Sequence, residues 1–352
     1  MYCPTSKNEW LFCGALFTQG LVVTLLEIFL LIEWLFWVNP NITQVQISYT
    51  IPIGMGILIF ACVYEALLSL DAIHHRNNIS LAAICFSNMF VLVYASIQYL
   101  ETQTVVTGVR YEYDGVRRRL VDSVKDMWKI MQPAALIIPI VIGMCSIAMV
   151  LGAYRLQREY TWLIYKAING SPTLRLRYLA YECYLVLAKY VFFFLVAFIV
   201  EYSLVDVHFD EPEYSLTMAL IPASFMALAL GIYCVKKELK WAMVFIIICF
   251  IGLLVYLLSR VVVLCGTSQR AHTASKDVML LFASITLALT VLTVGTAILC
   301  VINFDHGVAS INPRQSRTSV IYLLYLFWIY RASFLFRLTA RLRISQVVQG
   351  AL

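Results

Sequence analysis

Charged residues are scarce in this sequence, and their scarcity excludes an ordinary soluble protein. Asp, Glu, Lys and Arg make up 13% of the 352 residues, whereas a soluble domain carries about 25%. Hydrophobic residues reach 62%, with a mean hydropathy of +0.83. The excess is spread along the whole chain, so the composition predicts a polytopic membrane protein. Because unpaired backbone groups in lipid cost several kcal/mol each, we predict an all-α transmembrane helical bundle.

Motifs that carry catalysis or cofactor binding are missing as well. The chain has no GxSxG, no HExxH, no Walker-type glycine loop and no Rossmann fingerprint. Its ten cysteines show no CxxC or other metal-type spacing, and most lie in apolar runs where cysteine behaves as a small hydrophobe. We therefore predict no enzyme activity, cofactor, metal site or disulfide framework. His74 and His75 stand beside Asp71, but a solvated loop explains them more simply than a metal site. The net charge of +6 is modest, and we expect no nucleic-acid partner.

Eight apolar runs are long enough to cross a bilayer, which takes about 20 residues of helix. We predict a bundle over residues 1–310 and a cytosolic or interfacial segment over 311–352. The eight predicted spans are 11–38, 51–70, 80–100, 133–154, 179–204, 216–235, 241–264 and 278–302.

The distribution of Lys and Arg predicts the orientation of the bundle. With eight spans, both termini and every second loop share one side, which collects sixteen basic residues against nine on the other side. The positive-inside rule then makes both termini cytosolic. Asn41, in the sequon "NIT", falls on the luminal side and is a possible glycan acceptor. The sequons at Asn78 and Asn169 fall on the cytosolic side, so a glycan at either would contradict this topology.

Two further segments have amphipathic patterns. Residues 115–131 place apolar side chains at helical spacing, which predicts a helix on the membrane surface or a cap across the bundle. Residues 319–338 are apolar enough to resemble a ninth span, but spanning would carry Arg331 into the membrane. We predict instead an interfacial helix there. The basic residues near its end would suit anionic lipids of the cytosolic leaflet, and they are Arg337, Arg341 and Arg343.

Several charged residues lie inside the predicted spans, where charge is costly and usually paired. Matching their depths predicts two ion pairs, Glu27 with Lys189 and Glu201 with Arg260. Glu65 is a competing partner for Lys189. Such groups could form a proton or ion path, or they could fix how helices dock.

The sixth span carries small residues every fourth position, at Ala219, Ala223, Ala227 and Gly231. Small residues at this spacing let another helix approach closely in lipid. The pattern predicts a helix-packing face but leaves open whether the partner belongs to the same chain or to another copy. No internal repeat is evident in the sequence.

Four segments in the middle and final thirds of the chain follow a recognisable order. They are "REYTWLIYKAI" (158–168), "RYLAYECYLVLAKYVFFFLVAFIVEY" (177–202), "PEYSLTMALIPASFMALALGIYCVKKE" (212–238) and "ITLALTVLTVGTAILCVINFDHGV" (285–308). These segments resemble uncharacterised multi-pass membrane proteins of the fungal Golgi apparatus. Three positions depart from the family pattern, where Asp305, Val308 and Val191 replace a Gly, a Leu and an acidic residue. The resemblance implies a Golgi or related endomembrane location and no particular activity.

Two functions remain open from the sequence. The first is a non-enzymatic Golgi membrane protein with a structural, trafficking or receptor-like role, in which the segment 157–178 could present a face to a protein partner. The alternative is a carrier or channel for a small solute or ion, with Glu27, Glu65 and Lys189 along the path.

Overall fold

The computed structural model describes residues 6–38, 47–109, 121, 126–167, 172–206, 213–266 and 276–304. Eight of the described helices are long and apolar enough to span a membrane, as predicted. They are α1 (Lys7–Trp37), α2 (Ile47–His75), α3 (Asn78–Val109), α4 (Met127–Ala167), α5 (Pro172–Glu201), α6 (Glu213–Lys236), α7 (Lys240–Cys265) and α8 (Lys276–Asn303).

Each predicted span overlaps one helix, and local signals explain where some of the helices begin. Ser6 caps α1 in a capping box with Glu9, so each residue satisfies a backbone N–H of the other. Asn77 caps α3, and its Oδ1 accepts bonds from the backbone N–H groups of Ile79 and Ser80 at 2.8 and 3.2 Å. These caps supply partners for the N–H groups that the first turn of a helix leaves unpaired.

The predicted helix over 115–131 is wrong in its extent. Val121 forms an isolated antiparallel bridge with Val38, and the helix begins only at Met127. The rest of residues 115–125 lies outside the described residues. The predicted helix over 319–338 lies outside the described residues.

The bundle consists of two halves with the same packing pattern. In the N-terminal half (α1–α4), each helix packs against the next, and α1 packs most extensively against α4. The C-terminal half (α5–α8) repeats this closed ring, with α5 packed most extensively against α8. The halves meet where α5 packs against α2 and α3. Each half is thus a closed ring of four helices.

Aromatic side chains fill the junction between the halves, which explains the run "YVFFF" in α5. Phe193 stacks on Phe60 and Tyr64 of α2, with ring centroids 5.6 and 5.0 Å apart. Phe194 meets Phe90 of α3 edge-on at 5.9 Å. Offset and edge-on ring pairs stabilise by about 0.5–1.5 kcal/mol beyond the area that they bury. Phe193 and Phe194 therefore join the two halves.

Candidate functional site

Lys189 pairs with Asp71 across the junction between the halves. Its Nζ donates to Asp71 Oδ2, and the two side chains are 11% and 8% exposed. His75, one turn further along α2, places its Nε2 3.4 Å from the other Asp71 oxygen. Tyr64 donates to the backbone carbonyl of Lys189 at 2.8 Å. One charged pair and one hydrogen bond thus fasten α5 to α2.

The predicted pair of Glu27 with Lys189 is therefore wrong, and Glu65 is not the partner of Lys189 either. In the structure α5 begins at Pro172, while Asp71 lies only four residues before the end of α2 at His75. Lys189 is near the middle of α5, but its partner Asp71 lies near the end of α2. The missed signal was Asp71 itself, a carboxylate inside the last turn of an apolar span.

Glu65 is buried among α2, α3 and α5 without a cation. Its side chain is fully buried, and Ser87 donates to its Oε1 at 2.5 Å. Its Oε2 has no hydrogen-bond partner among the described residues. The hydroxyl of Tyr190, next to Lys189 on α5, is also buried and without a partner there. Because an ionised carboxylate without a cation is costly in an apolar interior, Glu65 is a site where a proton can be held.

Glu27 has an amide for its partner. Gln98 of α3 donates from Nε2 to both carboxylate oxygens of Glu27, at 3.2 and 3.4 Å, and Glu27 is 1% exposed. Gln98 also lines a cavity of about 300 Å³ between α2 and α3, together with Thr50 and Glu101. This cavity lies at the end of α2 opposite to Asp71, and the side chain of Gln98 links it to Glu27.

Glu201 and Arg260 also fail to form the predicted ion pair. Arg260 Nη1 donates instead to the hydroxyl of Tyr202 at 2.9 Å, and its guanidinium lies over the rings of Tyr202 and Tyr256. Glu201 is 2% exposed, and its Oε2 has no hydrogen-bond partner among the described residues. Consecutive residues of a helix point in different directions, so Tyr202 faces Arg260 while Glu201 does not. Tyr202 begins a π-helical turn, Tyr202–Asp206, that continues α5.

A network of amides joins three helices of the N-terminal half. Gln19 of α1 donates to Asn88 of α3 at 2.7 Å, and Asn88 donates to Ser146 of α4 at 2.7 Å. Sequence analysis did not single out these residues. The available signal was that Gln19 and Asn88 are isolated amides in apolar spans, where a polar side chain needs a partner on another helix.

The four small residues of α6 do not form one continuous packing face. Gly231 is buried, and an added Cβ there would lie 2.5 Å from the Tyr184 hydroxyl on α5, so close packing within the chain occurs at this end. Ala219 and Ala223 are exposed, and Ala223 and Ala227 line a cavity between α5, α6 and α7. Of these four residues, Gly231 therefore makes a tight contact with α5, whereas Ala223 and Ala227 border an open groove.

The buried polar groups together extend across much of the membrane's thickness. On α5, Lys189 and Glu201 are twelve residues apart, which corresponds to about 18 Å at 1.5 Å per residue. The hydrocarbon core is about 30 Å thick. Asp71 and Glu65 are on α2, which packs against α5, and Glu27 is on α1, which packs against α2. Such an arrangement can hold protons at several depths.

Some of the predicted site residues lie outside the described residues. Within the described part of the chain, no group of three or more His, Cys, Asp or Glu residues is placed to hold a metal ion. Asn41 and the arginines Arg337, Arg341 and Arg343 lie outside the described residues. The segment 157–178 is divided between the end of α4 and the start of α5, and its role as a partner face stays a prediction.

Comparison with known proteins gives one informative match. The chain is 23% identical over 273 residues to a UPF0658 Golgi apparatus membrane protein of the fission yeast Schizosaccharomyces pombe, covering 73% of this chain and 77% of that protein. The resemblance predicted from the sequence is confirmed. No family model matches the chain. No solved structure matches it. The similarity therefore supports an integral membrane protein. It indicates no particular biochemical activity, since the family is uncharacterised.

Proposed function

We propose that this protein is a non-enzymatic proton carrier of the Golgi or a related endomembrane, with both termini in the cytosol. The name of the yeast relative supports the location. The excess of basic residues on one side supports the orientation. Of the two functions that the sequence left open, the geometry favours transport over a purely structural, trafficking or receptor-like role.

One observation carries this proposal. Glu27, Glu65 and Glu201 are at most 2% exposed inside membrane-spanning helices and have no cationic partner among the described residues. A carboxyl group in that setting is costly when ionised, and a purely structural bundle gains little from retaining three of them. Proton carriers, in contrast, need carboxyl groups at successive depths.

The two-half architecture supports the same function. In carriers built from repeats, coupling-ion sites lie at the interface between the repeats, and one half moves against the other. Here Glu65 lies beside α5 at that interface, with the Asp71–Lys189 pair joining the halves nearby. Breaking and remaking this pair would couple movement of the halves to the charge state of the interface.

Replacing Glu65 by Gln tests the proposal, because the amide oxygen can still accept the bond from Ser87. Protein in liposomes with an internal pH-sensitive dye should dissipate an imposed pH gradient. Glu65→Gln should slow this flux by about a hundredfold, the scale of one positioned proton-transfer group, while leaving thermal stability unchanged.

The matched control is Glu159→Gln, which changes an exposed carboxylate on α4 that accepts a bond from Asn8. This variant should retain wild-type flux. A folded Glu65→Gln protein with wild-type flux, or wild-type protein with no flux above that of empty liposomes, would refute proton transport.

A further inference from the structure

A groove opens between α5, α6 and α7 in the C-terminal half. Its volume is about 340 Å³, more than twice the roughly 150 Å³ of a dry cavity that holds benzene. Phe192 of α5, Ala227 of α6 and Leu253 of α7 are among its mostly apolar lining residues. Ala223 and Cys249 line it and are exposed at the surface of the bundle. We call this space the α6 groove, and it opens toward the lipid.

A positively charged side chain, that of Arg260, lies at one end of the α6 groove. Tyr256 lines the groove, and the guanidinium of Arg260 lies 5.2 Å from the centre of its ring. Arg260 forms no ion pair with any described residue, and its buried Nε has no hydrogen-bond partner among them. A guanidinium presents five donors in a fork that fits carboxylate and phosphate groups. Its hydrogen bond to Tyr202 uses one of these donors, so most of them remain available to an anion.

The depths of these groups match those of a lipid molecule. Arg260 lies four residues beyond Tyr256 and five residues before the end of α7 at Cys265. These separations correspond to about 6 Å and about 7.5 Å along the helix axis. The groove is therefore at the level of acyl chains, while Arg260 is close to the level of headgroups, which long basic side chains reach by extending toward the interface.

We propose that the α6 groove and Arg260 together form a phospholipid site. An acyl chain fills the groove, and the phosphate of the same lipid accepts hydrogen bonds from the Arg260 guanidinium. Charge complementarity selects this occupant, because a helix from a second copy could cover the apolar walls but would supply no anion. The site is independent of proton transport.

The test uses the full chain purified in a mild detergent. Native mass spectrometry should show one phospholipid retained per chain, and added phosphatidylglycerol should raise the thermal unfolding midpoint. Diacylglycerol with the same acyl chains but no phosphate should raise it much less. Arg260→Gln should weaken phosphatidylglycerol binding by about tenfold or more, the scale of a charge-assisted hydrogen bond. Ala223→Leu, which fills the groove from its exposed side, should also lose the retained lipid.

Arg158→Gln is the matched control. Arg158 also stacks on a tyrosine, 4.7 Å from the ring centre of Tyr154, but on the exposed end of α4. This variant should bind phosphatidylglycerol as the wild type does. The proposal is overturned if Arg260→Gln binds phosphatidylglycerol with wild-type affinity, or if diacylglycerol stabilises equally well. It is also overturned if the groove proves to hold a second copy, shown by a dimer that Ala223→Leu dissociates.

Discussion

Removing the charge of Lys189 should destabilise the protein far more than removing the whole Asp71–Lys189 pair. In Lys189→Met, Asp71 is left 8% exposed, with His75 as its remaining neighbour at 3.4 Å. Breaking a buried ion pair by deleting one partner costs about 3–5 kcal/mol, since it strands the other charge. The histidine offsets part of this penalty, so we expect a loss near 3 kcal/mol, the lower end of that range.

The double variant Asp71→Leu/Lys189→Met should recover most of that stability. Replacing a buried pair by apolar residues of similar size is often nearly neutral, so the double variant should lie within about 1 kcal/mol of the wild type. Asp71→Leu alone should cost less than Lys189→Met, because a long lysine can extend toward the interface. The cycle should then give a coupling energy of about 3 kcal/mol, the upper end of the range for residues in contact.

Equilibrium unfolding of the four proteins in detergent micelles measures this coupling. If the two single losses simply add in the double variant, the pair contributes no coupling and the assignment of Asp71 as the partner is wrong. A Lys189→Met variant as stable as the wild type would refute the buried pair outright.

Two further predictions concern helix packing. Gly231→Ala should destabilise by about 1–3 kcal/mol through overpacking, since its new Cβ would lie 2.5 Å from the Tyr184 hydroxyl. Gly252→Ala on α7, where nothing lies within 4 Å, should be neutral or stabilising in the same thermal assay, and equal effects of the two changes would contradict the packing. Asn88→Leu should cost about 0.6–1.7 kcal/mol through loss of its bonds to α1 and α4. An unchanged unfolding free energy would show that the amide network adds no stability.

Span number and span position follow from the sequence alone. Backbone groups must be paired in lipid, so any apolar run of sufficient length forms a helix whatever its neighbours are. The number of spans is confirmed, and each predicted span overlaps one of the eight helices. Several helices, such as α3 and α4, extend well beyond the predicted bounds. The extensions were missed because capping residues such as Ser6 and Asn77 lie outside the apolar runs that define a span.

Partner choice, in contrast, could be decided only by the tertiary structure. The sequence showed that Lys189 requires an acidic partner and proposed Glu27 or Glu65. Only the packing of α5 against α2 brought Asp71 into contact with it. The four small residues of α6 also depend on tertiary packing. Their spacing is uniform, yet Gly231 lies in a tight contact and Ala223 borders an open groove. Composition and periodicity indicate which side chains of each helix must be buried. How far each helix extends beyond its neighbour, and which faces meet, depends on contacts between residues far apart in the chain.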